Sequence, residues 1–123
     1  MLEDKLPKNL NCLLSHDKQA NLWVSHCLDF DLVTSGASED EAWDAMKRVA
    51  KSHIESCFRD SFAKGLSRRA ESSVWAEYVN QVHAGRLRSD LISLDLKHTH
   101  ETFDLRMKGA RIESLPSNVP AVM

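Results

Sequence analysis

One feature constrains this chain more than any other: a serine, then a glutamate three residues later, at the mouth of a long apolar stripe. In Ser38-Glu39-Asp40-Glu41 the Ser38 hydroxyl is placed to accept a free backbone N–H of a first helical turn. The Glu41 carboxylate is placed to reach back to the cap, the reciprocal arrangement of a capping box. Ala42, Met46, Val49, Ala50, Ile54, Cys57 and Phe58 follow, mostly at spacings of three and four, which gathers them on one helical face. Just upstream, residues 22–30 alternate as a strand does. Leu22, Val24, His26, Leu28 and Phe30 fall on one side, with Trp23, Ser25, Cys27 and Asp29 on the other. Residues 23–53 therefore predict a strand, a polar turn closed at Gly36, and a capped amphipathic helix. The helix is expected to run to about Ala63 and to stop at Gly65. Asp44–Arg48, Glu55–Arg59 and Asp60–Lys64 would stand along it as acid-then-base pairs.

The rest of the chain is built around that unit. Residues 10–15 (L-N-C-L-L-S) read as a short strand, and the polar residues 16–21 as the turn of a hairpin. Residues 32–34 add a short third strand. After the polar break S-R-R-A-E-S-S at 67–73, Val74, Trp75, Tyr78, Val79 and Val82 predict a second, shorter helix ended by Gly85. Residues 91–98 and 103–107 alternate and predict an antiparallel strand pair joined near 98–101. The fold class is α+β: a small antiparallel sheet packed on one long helix, with a C-terminal helix and strand extension. The expected organisation is a core over 9–66, an extension over 67–112, and a tail over 113–123 whose two prolines and lack of period predict disorder.

Composition is that of a globular domain: 123 residues, 42% hydrophobic and 28% charged. The net charge of −2 points to neither a nucleic-acid binder nor an acidic tail. Its distribution says more. No Lys or Arg lies between Gln19 and Met46, whereas Asp29, Asp31, Glu39, Asp40, Glu41 and Asp44 all do. Acidic residues at a helix start are favoured by the helix dipole, which accounts for them without a partner; the alternative is a docking face for a basic partner. Three widely spaced cysteines, Cys12, Cys27 and Cys57, form no C-x-x-C pair and fit a reducing, cytoplasmic setting. The first residues, M-L-E-D-K-L-P-K, lack the apolar run of a signal peptide. No apolar stretch approaches the roughly 20 residues needed to span a bilayer, so no membrane association is expected.

Candidate chemistry is sparse. His98-x-His100 is the one close histidine pair, and i, i+2 residues of a strand share a face, but no third ligand stands at a defined spacing. His26 and His53 read as packed residues. Cys27 beside His26 has the composition of a nucleophile–base pair, yet neighbours on a strand point apart. Asp29 and Asp31 share a face and are the candidates for a divalent-metal enzyme; a charged strand end is the plainer account. The four glycines, at 36, 65, 85 and 109, form no phosphate loop. The segment K-G-L-S-R-R at 64–69 is the candidate for DNA contact by a transcriptional regulator. Trp75 and Tyr78, which follow it, read as packing residues. No metal site or cofactor is expected.

The run W-V-S-H-C-L-D-F-D-L-V-T-S-G-A-S-E-D-E-A-W-D-A-M resembles the HicB-like antitoxin family. Trp23-Val24-Ser25-His26-Cys27-Leu28-Asp29 supplies its strand pattern; Gly36, Ser38 and Glu41-Ala42 supply its turn and helix entry. The resemblance covers residues 10–54. Phe30-Asp31-Leu32 stands where the family commonly has Pro-Gly-Cys, and the C-terminal half carries no helix-turn-helix or ribbon-helix-helix pattern. The resemblance implies a β-β-β-α-β domain shaped like a reduced ribonuclease H fold without its catalytic acids. It further implies a non-enzymatic protein that self-associates into a homo-oligomer and neutralises a small, basic, mRNA-cleaving toxin. On that reading the partner-binding residues are Asp29, Asp31, Glu39, Asp40, Glu41 and Asp44.

Overall fold

The computed structural model describes residues 5–83, 87–96 and 102–112. In chain order these form β1 (Asn9–Asp17), β2 (Leu22–Cys27), β3 (Leu32–Gly36), α1 (Glu39–Arg59), a 3-10 turn (Ala63–Leu66), α2 (Ser72–His83), β4 (Leu87–Asp95) and β5 (Thr102–Ile112). The five strands make one sheet in the order β3-β2-β1-β5-β4. The sheet expected to be antiparallel is mixed, because β5 lies parallel to β1, with Leu10 opposite Met107 and Cys12 opposite Gly109. The other three pairings are antiparallel. Alternating residues reveal a strand and its faces but not its direction, which is why the parallel pair was not legible. The expected boundary at 66–67 runs through this sheet: β4 and β5 come from beyond it, and β5 sits against β1.

Both faces of β1 are covered, and its apolar run explains how. Leu10, Cys12 and Leu14 face α1, in one cluster with Trp43, Met46, Ala50, Ile54 and Phe58. Leu13 faces the other way, with Leu28, Ala70, Tyr78, Ala110 and Ile112, where Val74, Trp75 and Val82 of α2 close over it. A central strand buried on two sides needs a near-continuous apolar sequence, and L-N-C-L-L supplies one. Gly109 has a specific reason to be glycine. A Cβ there would lie 2.5 Å from Cζ3 of the fully buried Trp43, so the indole of α1 is seated directly on the backbone of β5.

The start of α1 is as expected at Ser38, whose Oγ accepts from the Glu41 N–H at 3.1 Å. The Glu41 carboxylate reaches one residue further back than the usual box and accepts from the Ala37 N–H at 2.8 Å. The end is earlier than expected. α1 stops at Arg59, and Ser61 takes the left-handed conformation (φ 52). Phe62 N–H then donates to Cys57 O and Ser61 N–H to Phe58 O, the paired bonds of a Schellman termination. Gly65 lies instead inside the 3-10 turn, where a Cβ would meet Cys57 Sγ at 2.5 Å. The anticipated ion pairs are replaced by others: Asp44 pairs with Lys47, Glu55 with Lys51, and Asp60 with the adjacent Arg59. The histidine pair at 98 and 100 and the tail at 113–123 lie outside the described residues.

Candidate functional site

The six acidic residues singled out by sequence are split between the two ends of β3. β2 ends at Cys27, short of the expected Phe30, so Asp29 and Asp31 lie in the turn entering β3. Glu39, Asp40, Glu41 and Asp44 lie on α1 beyond the other end of that strand. Five strand residues separate the groups, a span of roughly 17 Å. The acidic stretch is therefore two sites, and its two halves face different neighbours.

At the turn, the two aspartates diverge. Asp29 is nearly buried, and its Oδ2 accepts from the Asn11 backbone N–H at 2.6 Å and from Asn11 Nδ2 at 3.2 Å. Asn11 Oδ1 in turn accepts from the Tyr78 hydroxyl at 3.0 Å, and the Ala70 N–H donates to Leu28 O at 2.8 Å. This network ties the turn to α2 and to the segment leading into it. Burial raises the Asp29 pKa above the ordinary aspartate value, against the lowering effect of the Asn11 bonds. Burial likewise pushes the Tyr78 phenol up to about 12, which keeps it a neutral donor. Asp31 Oδ1 lies 2.6 Å from His26 Nε2, and His26 Nδ1 is buried without a hydrogen-bond partner. The two carboxylates expected to share a face are thus engaged by Asn11 and His26 separately. Among the described residues no three His, Cys, Asp or Glu side chains come together as a metal set.

At the start of α1, charges distant in sequence come together. Both oxygens of Glu39 accept from Arg111 at 2.7 Å, and Asp40 Oδ1 accepts from Arg88 Nη1 at 2.9 Å. Arg88 also lies 3.6 Å from Glu39 and stacks 4.8 Å from the Trp43 ring centroid. Next to it, Asp90 Oδ2 accepts from Trp43 Nε1 at 2.6 Å and from Lys47 at 3.3 Å. The indole bond first, then the Lys47 charge, lower the Asp90 pKa. The Lys47 pKa is raised, chiefly by its hydrogen bond to Asp44. Glu39 is mostly enclosed by this network, while Asp40 keeps 79% of its side-chain exposure and Asp44 52%. At the start of α1 the exposed acids are Asp40, Asp44 and Glu41; at the turn Asp31 is exposed as well, at 55% of its side chain.

The remaining candidates have structural placements. Cys27 lies in the α1-side core opposite Cys12, on the other face of the sheet from His26. Burial pushes the Cys12 and Cys57 thiols up, away from the thiolate a nucleophile needs. His53 packs on Phe30 at 5.1 Å, with Nε2 2.6 Å from Gly65 O. Residues 64–69 form the 3-10 turn and the extended lead into α2, while α2 buries Tyr78 and packs Val74, Trp75 and Val82 on the sheet. Arg69 stacks on Trp75 at 4.4 Å. Arg69 and Trp75 join Lys5, Lys8, Asn11 and Asp29 in lining an open cavity of about 480 Å³. No helix among the described residues is long and apolar enough to cross a membrane.

Sequence reasoning missed Arg88, Asp90, Arg111 and the indole nitrogen of Trp43. A buried tryptophan needs a partner for its N–H, and that requirement was the available signal that some distant acceptor would face residue 43. Comparison with family models, curated proteins and solved structures gives no match.

Proposed function

We propose that this chain is a non-enzymatic protein-interaction module, a HicB-like antitoxin that binds and neutralises a small, basic, mRNA-cleaving toxin. One observation carries the reading. The strand–turn–helix unit that bears the resemblance presents Asp40, Glu41 and Asp44 as solvent-facing carboxylates at the first turns of α1. A β-β-β-α unit followed by a strand that returns beside β1 fits the implied domain, with α2 and β4 inserted before that last strand. Complementary charge of this kind acts mainly on the rate and orientation of association.

The test begins with capture from the native host, which should retain a short basic ribonuclease whose cleavage of mRNA stops when the complex forms. Changing Asp40 and Asp44 to Lys should then slow association at low salt and make it less salt-sensitive. Glu41 is left alone because its carboxylate caps the helix. Retention of no such ribonuclease, or of one that cleaves undiminished in the complex, overturns the antitoxin reading. An unchanged association rate constant in the double variant overturns the placement on α1.

A further inference from the structure

β4 is an edge strand, and among the described residues its outer edge is closed along only half its length. The Ser93 carbonyl accepts from Lys51 Nζ at 2.9 Å, and the Asp95 N–H donates to Glu55 at 2.7 Å, so α1 side chains occupy that stretch. Alternation of backbone groups along a strand turns the N–H and C=O of Leu87, Ser89 and Leu91 toward the same edge. Both leucines are half-exposed, Leu87 at 49% and Leu91 at 56%. Long edges of this kind are usually blunted by lysine, proline or a bulge. Here residues 87–91 read L-R-S-D-L, with no lysine, proline or bulge. Their two charges lie on the α1 side, Arg88 bonded to Asp40 and Asp90 to Trp43 and Lys47.

We infer that residues 87–91 pair antiparallel with the same residues of a second copy, across a two-fold axis at Ser89. The side chains select both the occupant and the register. With Ser89 on the axis, Arg88 of each chain stands across from Asp90 of the other, and Leu87 across from Leu91 on the opposite face of the sheet. Opposed charges and apolar residues placed directly across strands stabilise pairing. Moving the axis to Arg88 or Asp90 sets like charges against each other. Moving it to Leu91 brings Ser93, already covered by Lys51, into the joint. The sequence of this edge is thus complementary to itself, which gives an isologous dimer a closed contact. The inference rests on β4 alone and is independent of the antitoxin reading.

Two experiments decide it. The native Cys12, Cys27 and Cys57 are all buried, so a cysteine introduced at residue 89 is free to report on the joint. In a hydrogen-bonded antiparallel pair the two Cα atoms lie about 5.5 Å apart, inside the range a disulfide spans. Under mild oxidation Ser89→Cys should therefore form a covalent dimer at least tenfold faster than Ser52→Cys, on the exposed side of α1. In parallel, Arg88→Glu and Asp90→Lys should each reduce the dimer fraction seen by light scattering, and an equimolar mixture of the two should restore it. In the mixed dimer the introduced glutamate faces the introduced lysine, and the retained aspartate faces the retained arginine. Recovery therefore cannot come from repaired folding of either chain. Equal cross-linking at residues 89 and 52, a wild-type chain that stays monomeric to millimolar concentration, or a dimer indifferent to both charge reversals would overturn the inference.

Discussion

The two faces of the sheet are closed in different ways, and the contrast separates what holds this fold from what orients it. Against α1 lies a continuous apolar layer from β1, β2, β4 and β5, with Trp43 seated on Gly109 at its centre. Against α2 lies a smaller cluster, and the network of Tyr78, Asn11 and Asp29 fixes where that helix sits. The second face leaves Val33, Leu87 and Leu91 partly in solvent. A large apolar interface makes a face stable, whereas a polar network on a small one makes its position definite. The difference predicts that damage beneath α1 is global and damage beneath α2 is local.

The most direct way to break that comparison is Trp43→Ala, which should cost about 3–5 kcal/mol through the cavity left behind. Denaturant unfolding measures it; a cost no greater than that of losing a surface side chain would put the centre of the fold elsewhere. Gly109→Ala tests the same contact from the strand side, by placing a methyl group against the indole. We expect about 1–3 kcal/mol from overpacking, with the loss reversed in part when Trp43 is also made smaller. On the other face, Tyr78→Phe should cost about 1 kcal/mol by removing one hydrogen bond. Its signature is faster amide exchange confined to α2, with the β1 and β5 amides still protected to the global limit; uniform acceleration would show that the two faces unfold as one.

The smallest effects sharpen the contrast through pH. Asp90, beside Trp43, has a lowered pKa, so its contribution is present above the unfolded value and is lost as pH falls through the folded one. Asp29, in the α2 network, has a raised pKa, so its contribution has the opposite sign: full below the unfolded value and lost as pH rises through the folded one. Stability measured through the acid range should therefore fall less steeply in Asp90→Asn than in the wild type. It should fall more steeply in Asp29→Asn, where the opposing contribution is gone. Parallel curves for all three proteins would show that neither environment perturbs its carboxylate as inferred.

Local patterns were legible in the sequence because their causes are local. The Ser38 cap, the apolar stripe of α1 and the alternation of the strands all act within a few residues, and each is found where it was expected or close to it, except that Val49 of the stripe is exposed while Trp43 is buried in its place. What was not legible depends on residues far apart. The acidic run from Asp29 to Asp44 looked like one surface because its compensating arginines, Arg88 and Arg111, lie 48 and 72 residues beyond their partners. The expected strand end at Phe30 failed because Asp29 turns back to Asn11, a bond between residues 18 apart. The helix end was misplaced for a subtler reason. Gly65 is the residue that most readily ends a helix, but the left-handed position falls to Ser61, and Gly65 is needed where Cys57 leaves no room for a Cβ.

The parallel pairing of β1 with β5 has a consequence for how the protein is made. Asn9 finds its partner in Arg106 and Ser15 in Ile112, so of the described strands the first to emerge from the ribosome is completed by the last. At about 5–20 residues per second, synthesis leaves β1 without that neighbour for on the order of ten seconds. During that interval its apolar face can be sheltered by β2 and α1, but its other edge stays open. The nascent chain thus has a window of exposure that the finished fold conceals. Its length is set by translation speed across α2 and β4, so slowing codons in those two elements should raise aggregation without changing a single residue.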